Sequence, residues 1–138
     1  MEEKILFDRI IAVDFDGTIA QYGSWKGIGI FGDPVLSAQW ALTMLKNLGA
    51  TIIVHTCRKE TNLVIDYLRK YNIPYDHVNY SPRNVELKLS PKKIAADTYI
   101  DDKAIGFRGQ WRETYLDVVN FRRWEHEYGS SAIGSKVI

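Results

Sequence analysis

Asp14 and Asp16 lie two positions apart in Asp14-Phe15-Asp16-Gly17-Thr18, directly after the run Arg9-Ile10-Ile11-Ala12-Val13. A second acidic pair, Asp101-Asp102, closes the segment Thr98-Tyr99-Ile100. Open α/β sheets place their chemistry at the carboxyl ends of strands. If both segments are parallel neighbouring strands, four carboxylates converge at one edge. Like charges packed that closely repel and need a cation to stay ionised. Mg²⁺ suits such a place, because it takes oxygen ligands and usually keeps several waters. Asp14, Asp16, Asp101 and Asp102 are therefore the candidate metal residues. Gly17 lets the chain turn sharply after the first pair, and the Thr18 hydroxyl can tie that turn down. Thr56 follows Ile52-Ile53-Val54-His55, so its hydroxyl belongs at the same edge.

The elements that must position these residues read as an alternation. Residues 9–14 form a central strand, apolar on both faces as in a parallel sheet. Residues 19–33 carry Gly23, Gly27, Gly29 and Gly32 together with Tyr22, Trp25 and Lys26, and read as a mobile flap or short hairpin. Asp33-Pro34 is a cap-plus-proline helix start. Ala38, Ala41, Leu42, Leu45 and Leu48 follow at helical spacing, and Gly49 ends the helix. Residues 51–55 form a β-branched strand, 61–71 a second helix stopped by Asn72 and Pro74, and 76–80 a short third strand. Ser90-Pro91 repeats the helix-start signal for a short helix. Residues 98–101 form the strand that ends in the acidic pair, and 112–128 form a last helix. The segment 129–138 reads as a flexible tail. The fold class is α/β: a doubly wound, mostly parallel sheet with helices on both faces, one domain over residues 1–128.

With these elements in place, the run DFDGT resembles the first motif, DxDGT, of the haloacid dehalogenase (HAD) superfamily, whose members are mostly Mg²⁺-dependent phosphohydrolases. Thr56 falls where that family has its second motif. Lys93, or its neighbour Lys92, falls where it has its third. Ala96-Asp97-Thr98-Tyr99-Ile100-Asp101-Asp102 is similar to the string K-P-x-A-D-x-Y-I-D-D of small members, with Ile94 standing where that string has proline. The resemblance covers nearly all of residues 9–107. It implies that Asp14 attacks phosphorus and forms an aspartyl-phosphate. It implies that Asp16 protonates the leaving oxygen and then activates water. It also implies that Mg²⁺ is held by Asp14, the main-chain carbonyl of Asp16 and Asp101, with Asp102 supporting that shell. Thr56 and Lys93 would clamp the phosphoryl oxygens, making Asp14, Asp16, Thr56 and Lys93 the catalytic set. Phosphoryl transfer depends chiefly on such positioning and charge neutralisation.

The wider composition agrees with an ordinary globular chain of 138 residues, 46% hydrophobic and 25% charged. A net charge of +1 supplies no field for nucleic acid or anionic membrane. The single cysteine, Cys57, permits no internal disulfide and reads as a small packed thiol. With no apolar segment behind Met1-Glu2-Glu3-Lys4 and no run of membrane-spanning length, a cytoplasmic protein is expected. Gly27-Ile28-Gly29-Ile30-Phe31-Gly32 matches G-x-G-x-x-G, but the preceding strand ended at Asp14 and no acid follows at the right distance. Cys57-Arg58 lacks the loop of a cysteine phosphatase. His77 and His126 fit no zinc spacing. Trp40, Trp111 and Trp124 read as packing residues.

HAD enzymes usually owe specificity to a cap domain. Here the slot at 19–33 is loop-sized, and that at 80–90 is shorter still. The expected protein is capless, its open site suiting a phosphorylated protein, a nucleic-acid end, or a small phosphate ester covered by a neighbouring subunit of a homo-oligomer. Gly17, Thr18, Trp25, Lys26, Thr56, Arg58, Lys92 and Lys93 are the candidate substrate- and phosphate-binding residues. Trp25 and Lys26 read either as gating residues or as ordinary surface loop, and Arg58 as a phosphate contact or a salt bridge. The expected function is Mg²⁺-dependent phosphomonoester hydrolysis. The alternatives are a receiver-like phospho-acceptor module, or a silent interaction protein on the same scaffold. The order of the motifs, with the acidic pair last, disfavours a receiver.

Overall fold

The structure, a computed structural model, describes residues 4–125. Four strands, β1 (Ile10–Asp14), β2 (Thr51–His55), β3 (His77–Val78) and β4 (Thr98–Ile100), form one sheet in the order β3-β2-β1-β4. Every pairing is parallel, with Ile10 opposite Thr51, Asp14 opposite His55, and Val13 opposite Ile100. This all-parallel α/β arrangement meets the sequence expectation. β1 and β2 are the uniformly apolar strands because they are central. Alternate residues point to opposite faces. Ile11, Val13, Ile52 and Val54 join Leu42 of α1 (Ala38–Asn47) and Val64 and Leu68 of α2 (Thr61–Lys70) in one buried cluster. Ile10, Ala12 and Ile53 are buried on the other face.

Two aspartates fasten the strands at their amino ends. Asp76, just before β3, accepts from the Ile52 amide at 2.7 Å and pairs with Lys46. Asp97, just before β4, accepts from the Ile10 amide at 2.8 Å and pairs with Arg83. The strands are thus held in register from below, leaving their carboxyl ends free to carry the site.

Several elements differ from the sequence reading. α1 begins at Ala38, not at Asp33-Pro34. Pro34 instead bridges Ala20 in antiparallel fashion, and the Gln21 amide donates to the Asp33 carbonyl at 2.8 Å, so the 19–33 segment is a loop with a hairpin base. Ile19 and Ala20 are buried at that base. The short helix α3 is Pro82–Glu86, started by Ser81-Pro82, whereas Ser90-Pro91 lies in turns. The reason is Asn84: its side chain donates to the carbonyls of Ser90 and Lys93 and accepts from the Ala95 amide, which fixes residues 90–95 in a non-helical course. α4 is Trp111–Val119 and ends nine residues before the expected 128; residues 126–128 and the tail at 129–138 lie outside the described residues. Trp40 and Trp111 are not core residues, being 65% and 73% exposed. Cys57 is exposed rather than packed. No helix among the described residues is long and apolar enough to cross a membrane.

Candidate functional site

The carboxyl ends of adjacent β1 and β4 bring Asp14, Asp101 and Asp102 together, with one carboxylate oxygen of each inside a 4.8 Å cluster. Asp14 is half-buried, and its carboxyl is pushed up to about 7, first by burial, then by the charge of Asp101, and then by Asp102. Asp102 has a nearly inaccessible side chain whose Oδ1 has no hydrogen-bond partner among the described residues. Crowded, desolvated carboxylates with an orphaned oxygen are the donor set a hard divalent cation takes. The three aspartates could therefore hold a cation of that kind.

The turn after β1 is built for closeness. Gly17 has φ +86°, and a β-carbon there would run into the Asp102 carboxylate, so only glycine fits. Thr18 does the tying: its hydroxyl lies 3.4 Å from Asp14 Oδ2 and accepts from the Asp102 amide at 3.2 Å. The two acidic loops are thereby joined through one side chain.

Asp16 is turned to a different partner. Arg58 Nε donates to its Oδ2 at 2.7 Å and Arg58 Nη2 to its Oδ1 at 2.9 Å, a two-pronged pair of the strong, directional kind. Arg58 is buried, 8% exposed, and its remaining donors reach the carbonyls of Ile30 at 3.1 Å and Gly27 at 3.5 Å. Of the two readings open for Arg58, the structure realises the ion pair, and in buried rather than surface form. Asp16 contributes no carboxylate oxygen to the acidic cluster.

Thr56 stands at the end of β2 as expected. Its amide donates to Asn79 Oδ1 at 2.8 Å, its carbonyl accepts from Asn79 Nδ2 at 3.0 Å, and its hydroxyl oxygen accepts from the Arg58 amide at 3.0 Å. Among the described residues the hydroxyl proton has no acceptor. Asp14, Asp16, Thr56, Arg58, Asp101 and Trp25 all line one cavity of about 590 Å³. Its cationic side chains are Arg58, Lys59 and Lys103. Lys92, Lys93 and Lys26 are not among its lining residues. Lys93 Nζ instead lies 5.2 Å from the Tyr99 ring centroid, over a separate hollow, because Asn84 and the Tyr99 hydroxyl hold the 90–95 segment there.

Five contributors escaped the sequence reading. Lys103 follows the acidic pair and reaches the cavity, its Nζ 5.7 Å from the Tyr22 ring centroid. Asn79 orients Thr56. Arg123 and Glu125, beyond α4, strap the site. Arg123 Nη1 donates to Asp102 Oδ2 at 3.2 Å and to the Tyr22 carbonyl at 3.1 Å. Glu125 accepts from the Tyr22 amide at 2.6 Å. Trp124, expected only to pack, donates to the Gly17 carbonyl at 2.7 Å. The doublet Arg122-Arg123 was the one visible signal, and nothing local connects it to Asp102.

Comparison with known proteins places the fold. A conserved protein from Bacteroides thetaiotaomicron superposes with a TM-score of 0.60 at 24% identity, over 87% of this chain and 97% of that one. A structural-genomics target from Vibrio cholerae aligns with a TM-score of 0.47 at 23% identity, over 70% and 82%. The first shares the architecture described above. No family model matches the chain, and no curated protein does.

Proposed function

We propose that this protein is a Mg²⁺-dependent phosphomonoester hydrolase of haloacid dehalogenase type, without a cap domain. The observation that carries the reading is the convergence of Asp14 with Asp101 and Asp102 at the ends of adjacent strands, while Asp16, two residues on, has its own cationic partner. Two neighbouring acids with different surroundings can take different roles.

Mg²⁺ held by Asp14 and Asp101, with the Asp16 carbonyl and Asp102 in support, would neutralise the phosphoryl oxygens and the attacking carboxylate. The chain's own residues do the rest. An Asp14 oxygen attacks phosphorus and the ester P–O bond breaks. Asp16 is a carboxylate while Arg58 grips both of its oxygens; once Arg58 releases one of them, that oxygen takes a proton from water and passes it to the departing oxygen, which leaves as an alcohol. In the second half Asp16 takes a proton from water, the water oxygen bonds phosphorus, and the Asp14–phosphorus bond breaks to free inorganic phosphate. The hydroxyl proton of Thr56 donates to a phosphoryl oxygen. Lys103, which lines the cavity, is the lysine we assign to charge neutralisation in place of Lys93 or Lys92.

The test is phosphate release from sugar phosphates, nucleotides, phosphorylated DNA ends and phosphopeptides in Mg²⁺, with Asp14→Asn as control. We expect release from at least one class and at least a thousandfold loss in the variant. Turnover undiminished by Asp14→Asn defeats the mechanism, and a stable aspartyl-phosphate lasting minutes would point to a phospho-acceptor module instead.

A further inference from the structure

Trp25 stands on the cavity wall with 56% of its surface open, beside Ile28 and Tyr22. A single exposed aromatic side chain calls for no explanation. This one is fastened. The Arg58 guanidinium carbon lies 4.8 Å from the indole centroid and 4.5 Å from the Phe31 centroid. A cation over a ring is attracted to its face, more strongly where water is excluded. The same guanidinium grips Asp16 and the backbone carbonyls of Gly27 and Ile30, on either side of Ile28. Phe31 in turn packs edge-on against Phe15 and Tyr67 of the core, at 5.5 and 5.3 Å. The indole is therefore held near Asp16 through the buried Arg58, rather than left on a free loop.

The cavity lining combines two chemistries. Acids, Thr56 and Lys103 suit a phosphate. Trp25, Ile28 and Tyr22 add aromatic and aliphatic wall. A polyol against that wall would lose water from its hydroxyls without regaining partners. A flat ring stacks on an indole and loses little.

We infer that the cavity takes a phosphomonoester whose leaving group carries a planar aromatic ring, with Trp25 as the stacking platform. The phosphate end of this inference rests on the phosphomonoesterase reading; the ring end rests on the wall. Two common sources supply the chemistry, the base of a nucleoside monophosphate and the phenol ring of phosphotyrosine.

Binding without turnover tests it. The full chain carrying Asp14→Asn, in Mg²⁺, is titrated by calorimetry with adenosine 5′-monophosphate, O-phosphotyrosine, ribose 5-phosphate and glycerol phosphate. At least one ring-bearing ligand should bind about tenfold or more tightly than the ring-less ones, the scale of one stacked base. Which ring wins identifies the source. Trp25→Ala in the same background should erase that preference and leave ribose 5-phosphate binding within about twofold, while Trp25→Phe should keep most of it. Equal affinity for ring-bearing and ring-less esters, equal loss of both in Trp25→Ala, or no binding of any ester overturns the inference. A wild-type protein that releases no phosphate yet keeps the ring preference loses the phosphatase reading and retains the platform.

Discussion

Asp14→Asn should make the metal-free protein more stable at pH 8, although it removes the residue assigned to the chemistry. The carboxyl of Asp14 is raised from 3.8 to about 7, first by burial, then by Asp101 and Asp102. A shift of roughly 3 units corresponds to about 4 kcal/mol at most. Asp14 opens onto the cavity, so solvent screening reduces this to about 2 kcal/mol. The sign follows from proton binding. Below about pH 4 both folded and unfolded chains hold the proton, and nothing is lost. Between about 4 and 7 the unfolded chain releases it first, so folding loses ground as pH rises. Above 7 the full penalty applies, and an amide escapes it. His55 works the other way, since burial lowers its pKa and favours folding as pH rises. The measurement is therefore a difference between the two proteins, which cancels His55. Calorimetric melting in EDTA should show the variant roughly 6–8 °C above wild type at pH 8, with the gap closing towards pH 4. Millimolar Mg²⁺ should raise the wild type and shrink the gap, as ligand binding to the folded state requires. A variant that melts at or below the wild type at pH 8 in EDTA refutes the assigned crowding of the acids.

Three other outcomes follow from the geometry. Lys103→Ala should lower kcat/KM for a phosphate ester at least tenfold more than Lys93→Ala; the reverse order would restore the lysine implied by family resemblance. Arg58→Met strands Asp16 without its cation, and because Asp16 retains some solvent contact the cost should be about 2 kcal/mol in urea unfolding, below the range for a fully buried pair. That loss should come with faster hydrogen exchange in residues 22–31, and unchanged exchange there would refute Arg58 as the fastening of the flap. Trp124→Phe removes the bond to the Gly17 carbonyl and should cost about 1 kcal/mol, with a loss of activity larger than that of Trp40→Phe on the exposed face of α1.

What was legible in the chain depended on how local its cause was. β1 and β2 were legible because both faces are buried and their runs are apolar throughout. The placement of Asp14, Asp16, Thr56, Asp101 and Asp102 at the carboxyl edge of the sheet was legible because it follows from the strand ends alone. α3 was not. Ser81-Pro82 and Ser90-Pro91 carry the same start signal, and the choice between them was made by Asn84, whose amide binds three backbone groups up to eleven residues away. Lys93 failed to reach the cavity for the same reason. Arg58 carried two readings because its partner lies 42 positions back along the chain. Arg123, Trp124 and Glu125 act across 101 to 107 residues on the flap and the first turn, a relation that no spacing rule encodes.

The distribution of positive charge around the four acids bears on the metal. Asp16 is paired with Arg58, while Asp102 shares Arg123 with Glu125, the same Nη1 lying 3.2 Å from Asp102 and 3.5 Å from Glu125. Among the described residues, Asp14 and Asp101 make no ion pair; Asp101 accepts only from the Lys103 amide at 2.8 Å. The two arginines thus give one acid at the end of each strand a cationic partner and leave the other without one. Had both pairs been left bare, the repulsion would push the β1 and β4 loops apart; had all four been paired, no net charge would remain to draw a cation. The arrangement leaves the unpaired acids, Asp14 and Asp101, side by side, with Thr18 and the close approach at Gly17 keeping the loops together against their repulsion. A divalent cation bound there would favour the ionised form of Asp14, and this selective pairing supports the metal-assisted reaction proposed at Asp14 more than the acidic cluster does by itself.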